Sequence, residues 1–280
     1  MINRKRLMFI FGTRPEAIKM APIILEVQKH PDIFQDVIVS TGQHFEMLRQ
    51  VMNIFDIRPD YDLAIMEEGQ TLSRIVVKIL QGLENIILTE KPDMLLVQGD
   101  TSSAFAAALC AFYHKIPIAH VEAGLRTGDK WRPFPEEVNR QLISVVANLH
   151  FAPTESSVEN LLKEGIPRPS IYLTGNSVID ALLNVSKRKF DIKKSGLKLD
   201  PSKKIILVTA HRRESFGAPL KEICNAILRI AQKYEKEVQV VIPAHKNPLA
   251  RNTIKEVLGN MHNIKIIEPM DYEPFVHLMK

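Results

Sequence analysis

Leu7-Met8-Phe9-Ile10-Phe11-Gly12-Thr13-Arg14-Pro15-Glu16 is the stretch on which the fold turns. Five apolar residues without polar alternation read as a strand buried on both faces. Gly12 then permits a tight turn, and Pro15 suits the start of a helix whose free N–H groups face an anion. Comparable short runs recur at Val37 to Ser40, Met94 to Val97, Ile118 to Val121, His150 to Ala152 and Ile171 to Leu173, with helical periodicity between them. This alternation predicts a doubly wound domain of about six parallel strands over residues 1–180.

A helix-like segment from Val178 to Lys189, then the Lys-rich stretch Lys193 to Lys204 with Gly196 and Pro201, reads as an interdomain helix and linker over 181–204. The βα pattern restarts at Ile205 to Thr209, Val238 to Ile242 and Ile264 to Ile267, three strands of a second such domain over 205–280. Three parallel strands leave an unpaired edge and one helix-facing surface exposed. The last helical pattern, from Tyr272, reaches Lys280 without a stop signal. The expected fold class is therefore α/β, with two Rossmann-like domains of which the second is incomplete.

Bulk composition narrows the function. A length of 280 residues allows two cores. The net charge of +5, from 37 basic and 32 acidic residues, is spread along the chain and forms no nucleic-acid tract. Cys110 and Cys224 lie in apolar helical patterns, which argues against a disulfide framework or a cysteine-based metal site and fits a reducing cytoplasm. The basic start resembles the opening of a signal peptide, but its apolar run is cut off at Gly12. No segment approaches the ~20 apolar residues of a membrane helix, so a soluble protein without a membrane partner is expected.

Ligands of open α/β sheets bind beyond the carboxyl ends of the strands, so the polar residues after each apolar run are the candidates. Arg14 and Lys19 add positive charge after the first strand, in a turn that is neither GxGxxG nor a P-loop and serves equally as a structural turn. Asp100, after Met94 to Val97, is either a helix-capping carboxylate, the commoner role, or a catalytic one. Glu122 follows Ile118 to Val121 directly, an expensive place for a purely structural carboxylate. The two-proline loop from Trp131 to Pro135 delivers a third carboxylate, at Glu136-Glu137, to a helix start, where dipole compensation is the common role and the alternative reading of Glu137. Three acidic residues converging on one sheet edge would repel unless protonated or paired, which is how a carboxyl becomes a useful acid or base. In the second domain His211, Arg212 and Arg213 cluster at a strand exit and suit a diphosphate. His245, in Pro243-Ala244-His245-Lys246-Asn247-Pro248, either joins them or belongs to a proline-bounded turn.

Taken together, Gly12 to Glu16, Thr41-Gly42-Gln43-His44, Gln98 to Thr101, His120 to Thr127, Pro135 to Arg140 and His211 to Gly217 resemble the non-hydrolysing UDP-N-acetylglucosamine 2-epimerase family, in order and across essentially the whole chain. The resemblance implies two Rossmann-like domains facing a cleft, as in glycosyltransferase-B folds. It also implies interconversion of UDP-N-acetylglucosamine and UDP-N-acetylmannosamine with no bound cofactor and no metal. By motif position it makes Asp100, Glu122, Glu136 and His211 catalytic and assigns Arg14 and Lys19 to substrate. Gln43 and His44 match a region where some members hold a second, activating UDP-N-acetylglucosamine. It implies a homodimer in the full-length family. It also implies a longer second domain with a Ser-Gly-Gly segment that grips UDP, so a weakly binding or inactive fragment is one alternative. A nucleotide-sugar glycosyltransferase of the same architecture, which needs an acceptor, is the other.

Overall fold

In a computed structural model, residues 4–42, 45–67, 69–210, 217–244 and 247–280 are described. The chain forms two compact units, Met1–Asn184 and Val185–Lys280. In the first, β1 (Lys5–Phe11) leads through α1 (Arg14–Gln28) to β2 (Phe34–Ser40), then α2 (Phe45–Phe55), β3 (Tyr61–Asp62) and α3 (Leu72–Glu90). Next come β4 (Met94–Gln98), α4 (Ser102–Tyr113), β5 (Ile118–Val121), α5 (Glu136–Val146), β6 (Leu149–Ala152), α6 (Glu155–Lys163), β7 (Ile171–Leu173) and α7 (Ser177–Ser186). The boundary between units falls within α7.

These strands make one seven-stranded sheet in the order β3-β2-β1-β4-β5-β6-β7. Every recorded pairing in it is parallel, for example Phe9 with Ile38 on one side and Leu96 on the other. The sequence predicts about six strands; the additional one is β3, whose two residues form no apolar run and add to the edge through Val39 and Ser40. Met8, Phe9 and Ile10 have no exposed surface and Phe11 only 1%, which is why β1 is continuously apolar. Its Met8 and Ile10 meet Leu83, Leu95, Val97, Ala107 and Ile118 in the principal core. The order reverses between β1 and β4, so the switch point of the sheet, the usual ligand crevice, lies where Gly12 and Gly99 end those two strands.

The second unit contains β8 (Lys204–Leu207), α8 (Ala218–Lys233), β9 (Val238–Pro243), α9 (Pro248–Leu258), β10 (Ile264–Ile267) and α10 (Tyr272–Met279). Its parallel sheet has the order β10-β9-β8. Leu220, Cys224, Ile254 and Leu258 pack on one face with Val240 and Ile242. The sequence leaves the other face bare, whereas the structure covers it: Leu197 and Leu278 bury Val241 there, because the segment around 192–199 and α10 fold back over the sheet. Among the described residues no strand pairs with the outer edge of β8, and Ile205 is exposed.

The turn after β5 depends on one glycine. Gly124 has φ of +87°, and a Cβ there would overlap the Ser157 carbonyl oxygen. Left-handed backbone costs an L side chain about 1–2 kcal/mol before any clash is counted. Gly124→Ala is expected to lower unfolding free energy by about 2 kcal/mol or more, measured by urea denaturation; an unchanged midpoint would contradict the packing described.

Candidate active site

Four turns at the carboxyl edge of the first sheet carry the candidate residues. At the end of β1, the Glu16 carboxylate accepts hydrogen bonds from Gly12 N (3.1 Å) and Thr13 N (2.7 Å), and Thr101 Oγ1 donates to its other oxygen at 2.6 Å. Glu16 thus closes the turn ahead of α1 on itself in a capping-box arrangement. Burial raises the Glu16 pKa, opposed by the bonds from Thr101, Thr13 and Gly12. Thr41 Oγ1 and Ser103 Oγ meet at 3.2 Å beside Gly12, so the ends of β1 and β2 and the start of α4 are locked together.

The β4 turn presents Asp100. Its cap role goes instead to Thr101, whose Oγ1 accepts from Ala104 N at 3.0 Å, and the Asp100 side chain is left to pair with Arg140 Nη2 at 2.7 Å. Burial pushes the Asp100 carboxyl above its ordinary value; Arg140 pulls it back, Glu136 and Glu122 raise it further and Lys19 lowers it. The three acidic residues are therefore electrostatic neighbours, as the convergence of the strand ends requires.

Glu122 sits in left-handed backbone, φ +65°, immediately after β5. A non-glycine residue held there costs of order 1 kcal/mol and is characteristic of functional turns. Lys19 Nζ (2.5 Å), Gln98 Nε2 (2.9 Å) and Asn176 Nδ2 (3.4 Å) all reach Glu122 Oε2. Lys19, expected on substrate, is thus in an ion pair with Glu122. Arg14, the first residue of α1, is half-buried and has no ion-pair or hydrogen-bond partner among the described residues. Glu136 opens α5, also half-buried, and its carboxylate has no hydrogen-bond or ion-pair partner among the described residues. Glu137 lies in the first turn of α5, as the dipole reading expects, but it is also fully buried and accepts from Thr127 N and Gly128 N, closing the loop ahead of the helix.

Sequence reading overlooks Gln98, Asn176, Asn139 and Arg140. Gln98 is the last residue of β4 and Asn176 follows β7, so the rule applied to Asp100 and Glu122 would have found them; the latter two are recognisable only from their tertiary partners. Gln43, His44, His211, Arg212, Arg213 and His245 lie outside the described residues. No group of three or more His, Cys, Asp or Glu side chains that would hold a metal occurs among the described residues, and no helix there is long and apolar enough to cross a membrane.

A doubly wound sheet with carboxylates, two cations paired to them and an arginine without a side-chain partner among the described residues at its carboxyl edge has the composition of a site for an anionic substrate. A family model described as UDP-N-acetylglucosamine 2-epimerase matches residues 25–280. The chain is 49% identical over 281 residues to UDP-N-acetylglucosamine 2-epimerase of Yersinia pestis, spanning 98% of this chain and 74% of that one. Its identity to the Escherichia coli K12 enzyme is 48%, with the same coverage. The crystal structure of UDP-GlcNAc 2-epimerase from Neisseria meningitidis bound to UDP-GlcNAc matches with a TM-score of 0.88 and 48% identity, over 98% of this chain and 75% of that one. The chain belongs to the UDP-N-acetylglucosamine 2-epimerase family.

His120 anchors the β4 turn from beneath. It is fully buried, and its Nε2 donates to the Gly99 carbonyl at 2.7 Å. Burial pushes its pKa down from 6.5 to about 3, so the unfolded chain takes up a proton that the folded one refuses. The stability from neutral His120 is fully present above pH 6.5 and drains away as pH falls towards 3. Glu16 and Asp100, with raised values, act in the opposite direction. The difference in urea midpoint between the parent protein and His120→Gln isolates the histidine: it is expected to shrink as pH drops from 7 towards 4, and a constant difference would contradict the burial of a neutral imidazole.

Proposed function

We propose that this protein interconverts UDP-N-acetylglucosamine and UDP-N-acetylmannosamine by non-hydrolysing epimerisation at C2. The observation that supports the reading is the pairing of Lys19 with Glu122 and of Arg140 with Asp100 at the carboxyl edge of the sheet, with Glu136 and Glu122 both acting on the Asp100 carboxyl. Inverting C2 requires a proton to leave one face of the sugar and return to the other, so one carboxyl is not enough. A carboxylate takes the C2 proton while the C1–O bond breaks and UDP departs with the electron pair, leaving 2-acetamidoglucal. Return of a proton to the opposite face of C2 and re-addition of UDP oxygen at C1 completes the exchange. Atoms and electrons balance without an oxidant.

A C2–H beside an acetamide is weakly acidic, so departure of UDP must be assisted by cations. Arg14 supplies one from the first unit. His211, Arg212, Arg213 and His245 are proposed to supply the rest, on the strength of their sequence clustering, and Gln43 and His44 are proposed as an activating subsite. Substituting Arg212 and Arg213 by Gln is expected to raise KM for UDP-sugar, whereas replacing His44 is expected to change only the curvature of the substrate-saturation plot. An unaltered KM or an unaltered curvature, respectively, would remove these residues from the site. The two buried, unpaired cysteines suit a reducing compartment such as the cytoplasm.

Proton NMR of UDP-N-acetylglucosamine in D₂O tests the reaction directly, with deuterium at C2 and appearance of UDP-N-acetylmannosamine as the expected result. Glu122→Gln should reduce both by about 100-fold or more while the far-UV circular dichroism stays unchanged. Undiminished exchange in that variant would remove Glu122 from the chemistry. Release of free N-acetylmannosamine would mark a hydrolytic enzyme, and turnover only with an added acceptor would mark a glycosyltransferase.

A further inference from the structure

We infer that the first turn of α5 is a positioning device for Asp100, in which Arg140 acts on the carboxylate and the buried Glu137 holds Arg140 and the preceding loop in place. The inference rests on the reading of Asp100 as an acid–base group.

Four contacts converge on this turn. Asn139 Nδ2 donates to the Asp100 carbonyl at 2.9 Å, and Arg140 Nη2 reaches the Asp100 carboxylate at 2.7 Å. The same guanidinium lies 3.6 Å from Glu137 Oε2 through Nη1, and its Nε donates to the Glu136 carbonyl at 3.3 Å. Arg140 thus ties Asp100 to the backbone of Glu136, another candidate acid–base residue. Glu137 has no exposed surface, and a buried carboxylate is strongly unfavourable unless paired and hydrogen-bonded. Its partners are the Thr127 and Gly128 amides, Gln141 Nε2 at 3.3 Å and Arg140. A lysine in place of Arg140 offers one point charge, whereas the fork serves Asp100 and Glu137 together.

This arrangement fits the demands of inversion. Two groups that exchange protons with opposite faces of one sugar need a fixed separation, and a misplacement of ~1 Å costs on the order of 100-fold in rate. Glu136 and Arg140 are spaced i and i+4 on one helix, so any movement of the helix start carries Glu136 and the grip on Asp100 together. Among the described residues, the charged groups acting on Asp100 are Arg140 and Glu136 from α5, Glu122 after β5 and Lys19 from α1. Without Arg140, Asp100 keeps its burial and both neighbouring carboxylates and loses its closest cation.

The test is a set of pH profiles of kcat and KM for C2 epimerisation by the intact protein, for Arg140→Met, Arg140→Lys, Asp100→Asn and the Asp100→Asn/Arg140→Met double variant. Arg140→Met is expected to lower kcat about 100-fold near neutral pH, with KM nearly unchanged and the acidic limb moved upward by about one pH unit or more. Arg140→Lys should fall between it and the parent. The double variant should be no slower than Asp100→Asn alone, because Arg140 acts through Asp100. Additive losses with an unmoved acidic limb would overturn the inference and leave Arg140 a structural residue. Should Arg140→Met fail to fold, Arg140→Lys decides: a parent-like kcat and limb would overturn it. Full activity in Asp100→Asn would instead overturn the underlying reading of Asp100, a distinguishable result.

Discussion

Crowding of negative charge at one sheet edge is the constraint on which the rest of this structure depends. Parallel strands deliver Asp100 and Glu122 to neighbouring turns, and the loop before α5 brings Glu136 to the same place. Carboxylates so close, and partly withdrawn from water, repel strongly. The fold answers with cations taken from flanking helices: Lys19 from α1 pairs with Glu122, and Arg140 from α5 pairs with Asp100. Each cation is already engaged with a carboxylate, whereas the side chains of Arg14 and Glu136 have no partner among the described residues.

Below that layer, polar anchors fix the turns themselves. Glu16 binds the amides of the β1 turn and the hydroxyl that caps α4, while His120 holds Gly99 from the core. Asn139 fixes the carbonyl of Asp100. These are short-range hydrogen bonds in a poorly hydrated setting, where losing one partner leaves an expensive unsatisfied group. Rigid turns also explain how Glu122 is kept in a left-handed conformation that most residues avoid.

Much of this was legible in the amino-acid order because buried parallel strands are continuous apolar runs and ligand residues follow them. That rule locates β1, β2 and β4 to β7 and singles out Asp100 and Glu122. It misses β3, since Tyr61 and Asp62 pair with a strand without being apolar. The role of Glu16 was readable in its spacing from Thr13, a capping box, yet that spacing competed with the attraction of a helix N-terminus for anions. Arg140 and Asn139 were not readable: their meaning comes from Asp100, 40 and 39 positions earlier, and only the sheet brings them together. The burial of Glu137 was not readable, because two adjacent glutamates at a helix start look alike in sequence.

The most direct test of the account is a crystal structure of this protein with UDP-N-acetylglucosamine bound. The expected result places C2 of the sugar within about 3.5 Å of a carboxylate oxygen of Asp100, Glu122 or Glu136, with the diphosphate against Arg14. A sugar ring bound with C2 remote from all three carboxylates would contradict the account.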